Sequence, residues 1–330
     1  MIEIRNLTKH FGPARAVEDV SFSVVEGEVL GFLGPNGAGK STTMKMITGF
    51  LTPTSGTVVV SGHDVSLDPI AVKRCIGYLP EGSPLYPDMT PLSLLRFVAE
   101  ARNLPADSRR ARIDEVIGMV GLEGVTLQRI DTLSKGFKRR VGLACAILHD
   151  PDVLILDEPT DGLDPNQKHD VRLLIQRMSK GKVIVLSTHI LEEVEEVCTR
   201  AIIISEGRLL FDGSPAELRA RSRVHRAVVL HLAGGASGAR ATLEKLDGVR
   251  EVEELGEADG LQRLMVYPEG ARSIVHTVAE CAQTAGWEVD HLHVERGNLE
   301  EVFRAITLGE LRPASPPKAP SDRTPEEVQA

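Results

Sequence analysis

Apolar and polar residues alternate along residues 1–30 and again along 56–65, in short stretches broken by glycine and proline. A period of two puts one face of each stretch on a core, so these segments predict the strands of an antiparallel sheet. Three other segments, 29–33, 153–156 and 183–186, are apolar from end to end. That is the pattern of strands covered on both faces within a parallel sheet. From 90 to about 150 apolar residues recur every three or four positions, with Pro91 at a helix entrance and a second helical repeat over 113–120. Residues 82–89, rich in proline and glycine, read as a hinge into these helices. Beyond 213 the pattern predicts a strand at 228–232, a helix at 241–246, strands at 249–255 and 261–267, a helix at 271–285, a strand at 287–294 and a helix at 298–308. This βαββαβ order suggests a small ferredoxin-like domain.

Chemistry enters at residues 34–42, between the apolar run 29–33 and a helix-like stretch at 43–47. The segment reads Gly34, Pro35, Asn36, Gly37, Ala38, Gly39, Lys40, Ser41, Thr42. Glycines let the backbone turn its N–H groups and the following helix N-terminus toward phosphate oxygens; Lys40 then neutralises the outer phosphates and the Ser41 hydroxyl ligates magnesium. Strand, glycine loop and helix in that order predict a nucleoside triphosphate site.

Asp157 and Glu158 stand at the carboxyl end of the run 153–156, where doubly wound sheets place ligands. Asp157 suits the magnesium shell, and Glu158 suits a general base that polarises the attacking water. Ser187, Thr188 and His189 follow the run 183–186. His189 there is within reach of a γ-phosphate. Between these strands, residues 133–144 form a Ser/Gly turn feeding a helix with basic residues in its first turns. Positive charge near a helix N-terminus opposes the macrodipole unless an anion sits there, and a phosphate from a second subunit would be such an anion.

With these motifs in place the chain resembles the nucleotide-binding subunit of an ABC transporter, over roughly residues 1–220. The resemblance implies an α/β fold of the P-loop NTPase type: a RecA-like core, an antiparallel β subdomain and a helical subdomain at 82–150, with the ferredoxin-like α+β domain at 221–310 as an accessory. Phe11 falls in a loop between the first strands, and the resemblance implies that it stacks on adenine and that 34–42 form the Walker A loop. Glu81 occupies the Q-loop position, as a further magnesium ligand, and 153–158 form Walker B. Ser134 and Gly136 belong to the signature at 133–137, which contacts the γ-phosphate of a partner copy. Asp164 belongs to the D-loop linking the two sites, and His189 is the switch histidine. ATP and Mg²⁺ are the implied cofactors. Because one chain holds one Walker A loop and one signature turn, two copies would meet head to tail. The wording at 76–81, 84–86 and 133–136 is similar to ATPases of ABC-2-type exporters, with the gliding-motility-type branch the nearest fit. A separate membrane-spanning permease would then hold the chain on the cytoplasmic face of the membrane, its groove beside the 82–89 hinge receiving a short permease helix.

Two positions depart from the family pattern. Glu81 stands where Gln is usual, and Lys135 and Phe137 replace a glycine and a glutamine of the signature. Lys135 offers a charge to compensate Glu81.

Composition narrows the reading further. The 330 residues suggest two domains. A net charge of −9 gives the surface no general attraction for nucleic acid, so none is expected as a partner. The longest apolar runs, such as 201–204, fall far short of the ~20 residues a membrane helix needs. No signal peptide opens the chain. Cys75, Cys145, Cys198 and Cys281 are widely spaced, which reads as buried free thiols in a reducing compartment. His291 and His293 share one strand face as half-exposed polar residues. Residues 221–310 show no catalytic constellation and default to a regulatory or dimer-stabilising role; 311–330, rich in proline, serine and charge, read as disordered. Rival readings are an importer motor, an ABC-type ATPase acting on ribosomes or DNA, and an ATP-binding regulator without turnover.

Overall fold

A computed structural model of the chain describes all residues except 83, 235, 237, 271 and 312–330. Nearly all of the expected tail, and the first residue of the helix expected at 271–285, thus lie outside the described residues. The chain divides into two compact units, Met1–Pro215 with the residues from Ile306 on, and Ala216–Ala305.

In the first unit β1 (Ile2–Phe11) and β2 (Ala14–Val24) pair antiparallel, β3 (Val29–Leu33) enters a second sheet, and after α1 (Lys40–Ile47) the chain returns to the first sheet in β4 (Ser55–Val60) and β5 (His63–Asp64). The alternation read in the sequence is the reason: Ile2, Ile4 and Leu7 point inward from β1 with no exposed surface. Phe11 is the last residue of β1, opposite Ala14, rather than a loop residue.

Helix α2 (Pro69–Cys75) leads to β6 (Ile76–Leu79), and then α3 (Pro91–Ala101), α4 (Ala106–Val120) and α5 (Lys135–Ile147) intervene. Thr90 caps α3 in a reciprocal box with Ser93, followed by Pro91 at the first turn. The chain resumes with β7 (Val153–Asp157), α6 (Pro165–Met178), β8 (Val183–Thr188), α7 (Leu191–Val197), β9 (Arg200–Ser205) and β10 (Arg208–Gly213). The order in the second sheet is β10-β9-β3-β8-β7-β6, parallel apart from β10. Every residue of β3, β7 and β8 is buried. Because β3, β8, β7 and β6 run parallel, their carboxyl ends share one edge, and the register sets Asp157 beside Ser187 and Thr188 beside Leu33. That edge is where the residues with chemistry converge.

In the second unit, beyond α8 (Pro215–Arg219), come β11 (Val228–Ala233), α9 (Ala239–Leu243), β12 (Val249–Ala258), β13 (Leu261–Pro268), α10 (Val275–Thr284), β14 (Val289–Val294) and α11 (Leu299–Thr307). Its sheet is antiparallel in the order β12-β13-β11-β14, the split βαβ arrangement expected. Leu230, Leu264 and Val266 pack with Leu243 and Val278 from the two helices, filling one face. On the other face His231 lies opposite His291, their rings 5.4 Å apart. The four cysteines are free, with only Cys198 fully buried and the other three half-buried. Among the described residues no helix is long and apolar enough to cross a membrane.

Candidate functional site

The loop between β3 and α1 takes its shape from glycines. Gly37 and Gly39 adopt left-handed φ angles of 80° and 108°. A Cβ on Gly34 would lie 2.3 Å from the Ile204 carbonyl oxygen, so only glycine lets the loop pass β9 this closely. Lys40, 7% exposed, donates from its ammonium to the carbonyls of Gly34 at 2.6 Å and Pro35 at 3.2 Å. Burial pushes its pKa down, and the carboxylates of Glu158, Asp157 and Glu81 oppose that shift. The loop's own carbonyls thus hold the Lys40 side chain in place at the start of α1.

Asp157 ends β7 and is 1% exposed. The Ser187 hydroxyl donates to its Oδ1, while its Oδ2 is buried without a hydrogen-bond partner among the described residues. A buried carboxylate with one oxygen fixed and one open is suited to be a cation ligand. Glu158 has φ of 53°, a left-handed conformation that costs a non-glycine residue about 1 kcal/mol. Its N–H is held by the Ser187 carbonyl and hydroxyl, both at 3.1 Å. His189 Nδ1 lies 2.8 Å from Glu158 Oε2. Burial pushes the Glu158 carboxyl up, and His189 and Lys40 pull it back down.

Lys40 and Glu158 face a cavity of about 260 Å³ lined also by Asn36, Gly37, Gly39, Ser41, Thr42 and Glu81, whereas Asp157 and His189 are not among its lining residues. The glycine cradle fits phosphates, and Ser41, Glu81 and the open Asp157 oxygen offer the all-oxygen donor set that magnesium takes. Sequence reasoning missed three residues that organise the site. Ser187 positions both acids. Glu193, 2% exposed, accepts from the hydroxyls of Thr160 and Thr188, tying the loop after Glu158 to the one bearing His189. Arg139 reaches the backbone of both acids. Ser187 stood beside His189 in a strand-end motif that could have flagged it; the other two carry no local signal.

Comparison with known proteins agrees with this geometry. The ABC transporter family model matches residues 17–161. The linearmycin resistance ATP-binding protein LnrL of Bacillus subtilis is 31% identical over 94% of this chain and 100% of its own length. The chain belongs to the ABC transporter family. The probable multidrug ABC transporter ATP-binding protein YbhF of Escherichia coli is 39% identical over 67% of this chain, which spans 38% of YbhF's length. Among solved structures, a dimeric bacterial ABC transporter cassette superposes with a TM-score of 0.62 at 26% identity, covering 65% of this chain and 99% of that one.

Phe11, Ser134, Lys135, Gly136 and Asp164 likewise do not line that cavity. Ser134 caps α5, accepting from the Phe137 N–H at 3.3 Å. Gly136 is buried under α6: a Cβ there would meet Gln167 Oε1 at 2.4 Å and Leu163 Cδ2 at 3.2 Å. Asp164 caps α6, accepting from the Gln167 N–H at 3.0 Å. Phe11 is 51% exposed, with the Lys9 ammonium 5.2 Å from its ring centre. Lys135 opens α5 with its Cβ placed against Gly162. The charge of Glu81 is among the causes that oppose the downward effect of burial on the pKa of Lys40 and Arg139.

Proposed function

We propose that the chain is the ATP-hydrolysing subunit of an exporter, driving a separate membrane-spanning permease of the ABC-2 type as a head-to-tail pair of cassettes. The observation that carries this reading is the acid pair of β7 facing the glycine loop, with one Asp157 oxygen fixed by Ser187 and the other open. The likeness to LnrL, a linearmycin resistance ATP-binding protein, and to YbhF, a probable multidrug ABC transporter ATP-binding protein, favours export. The dimeric cassette supports the pairing.

In this mechanism Lys40 and the N–H groups of the loop bind the β- and γ-phosphates, and Phe11 offers an aromatic face to adenine. Ser41, Asp157 and Glu81 would hold Mg²⁺, which when bound neutralises charge between the phosphates. Glu158 takes the proton of the attacking water, and His189 orients the Glu158 carboxylate through their hydrogen bond. Ser134 and Gly136 of one copy close the site of the other, with Asp164 between the two sites.

The test is to purify tagged Glu158→Gln protein from detergent-solubilised membranes in Mg-ATP and identify what accompanies it by mass spectrometry. A polytopic membrane protein in near-equal amount is expected. Recovery of only soluble partners, or of ribosomes, would move the chain to a non-transport ATPase.

A further inference from the structure

In the mechanism above His189 has to meet Glu158, yet its side chain is 59% exposed, so packing around the ring does not hold it. Its place is set by the backbone on either side. The hydroxyl oxygen of Thr188, a residue with no exposed surface, accepts from the Ile190 N–H at 3.0 Å. This closes a small turn with His189 at its apex. The same hydroxyl donates its proton to Glu193 at 2.8 Å. Glu193 stands in the first turn of α7 and is itself buried.

The other oxygen of Glu193 accepts from the hydroxyl of Thr160, which is also buried. Thr160 lies inside the turn that follows Glu158, closed by the Asp161 N–H on the Glu158 carbonyl at 3.1 Å. That turn runs on to Asp164, the cap of α6, and α6 sends the Arg172 guanidinium back to 3.7 Å from Glu193. A buried carboxylate is costly unless its oxygens are satisfied. Glu193 draws both hydroxyl donors from outside its own helix, one from the loop after Glu158 and one from the end of β8 just before His189. A threonine hydroxyl has a single proton to give, and each of these two gives it to Glu193. One buried side chain thus bridges the same two loops that the contact between His189 Nδ1 and Glu158 Oε2 bridges at the surface.

We propose that Glu193 is a positioning residue for ATP hydrolysis: by holding Thr160 and Thr188 at once it fixes the spacing between Glu158 and His189, and through the Thr188 hydroxyl it steadies the turn that presents the imidazole. This rests on the reading of Glu158 as the residue that takes the proton of the attacking water. Glu193 touches no substrate. Its partners Thr160, Thr188 and Arg172 lie outside the glycine loop, so its effect belongs to turnover rather than to nucleotide binding.

The experiment measures ATP turnover of the full-length chain against ATP concentration, well below each variant's thermal midpoint, with kcat counted per nucleotide site from equilibrium dialysis of ADP. Thr188→Val removes the hydroxyl while keeping the side-chain shape, and Glu193→Gln removes one of the two acceptor oxygens. Each is expected to lower kcat per site roughly tenfold, with KM for ATP moving less than about threefold. Thr188→Ser keeps the hydroxyl and should recover kcat to within about threefold of wild type. Because Thr188 and Glu193 act through one bond, the double variant is expected to lose little more than the worse single one. If Glu193→Gln does not fold, Thr160→Val and Thr188→Val form the cycle in its place, since their effects meet at Glu193. Wild-type kcat per site in either single variant, KM rising in step with the loss of kcat, multiplied losses in the double variant, or a Thr188→Ser chain as slow as Thr188→Val would overturn the proposal. A wild-type chain without turnover, or a Glu158→Gln chain that keeps it, would overturn the ATPase reading and this inference with it. Turnover that depends on Glu158 but not on Glu193 or Thr188 would remove this inference alone.

Discussion

Two of the three sheets of the described residues, the mostly parallel one behind the glycine loop and the antiparallel one within residues 228–294, bury their strands in opposite ways. β3, β7 and β8 are covered on both faces, so the apolar side chains along them are taken up by the core. Function is pushed to their carboxyl ends, where Lys40, Asp157, Glu158 and His189 gather. The strands of the second sheet bury one face. β12 has a single fully buried residue, Val252, and β14 has none. Its polar residues, including His231, His291 and His293, whose neighbouring rings lie 5.4 and 4.9 Å apart, stand on an open face rather than at a strand-end edge. Covering a sheet on both sides concentrates reactive groups at its rim; leaving one side open lets polar groups sit on the face itself.

The contrast can be broken most forcefully at Gly34. Gly34→Ala puts a methyl 2.3 Å from the Ile204 carbonyl, and relief must come from shifting either the loop or β9. A cost of about 2 kcal/mol or more in stability and at least a tenfold loss of ATP affinity, of order 1.4 kcal/mol, are expected by calorimetry. Unchanged affinity would mean that the rim is less exacting than the burial behind it implies.

A change of similar energy in the other sheet should leave nucleotide chemistry alone. Leu230 has no exposed surface, and Leu230→Ala is expected to destabilise residues 216–305 by roughly 2–5 kcal/mol. In a thermal melt this should appear as an earlier transition of that unit, with ATP affinity within about twofold of wild type. A parallel loss of affinity would show that the two sheets share one cooperative fate.

The smallest expected effect concerns pH. His149, behind the parallel sheet, places Nε2 3.1 Å from the Ile76 carbonyl. Burial, helped by the charge of Arg102, pushes its pKa from the ordinary 6.5 down to about 4. The folded chain therefore binds a proton less readily than the unfolded chain. Its contribution is full above pH 6.5 and is lost as pH falls toward 4. Discounted for partial solvent screening, this amounts to about 1–2 kcal/mol. Denaturant titrations at pH 7 and pH 4.5 should show His149→Gln losing less stability than wild type across that interval; equal losses would rule out His149 as a contributor.

Much of this was legible before any fold was known. Apolar runs gave the covered strands, the glycine spacing gave the loop, and Asp157, Glu158 and His189 followed from standing just beyond such runs. In the second unit the strand order matched the pattern, while ends moved: the helix expected at 241–246 spans Ala239–Leu243, and the one at 271–285 narrows to Val275–Thr284. Element ends depend on capping and packing that periodicity does not record. Phe11 was expected in a loop and closes β1 instead, because Gly12, at a φ of 57°, supplies the turn one residue later.

What the sequence determined by itself is what neighbouring residues impose on one another: the period that makes a strand, the cap that starts a helix, the glycines that let a loop wrap an anion. The partners of buried polar groups were decided only by tertiary structure. Arg139 read as one more base on a positive helix face, yet it is buried on carbonyls 59, 18 and 19 positions away. Ser187 and Asp157, 30 positions apart, meet because two parallel strands share a register. A hydrogen bond costs too much to leave unmade in the core, and which distant atom completes it is fixed only when the strands and helices have packed.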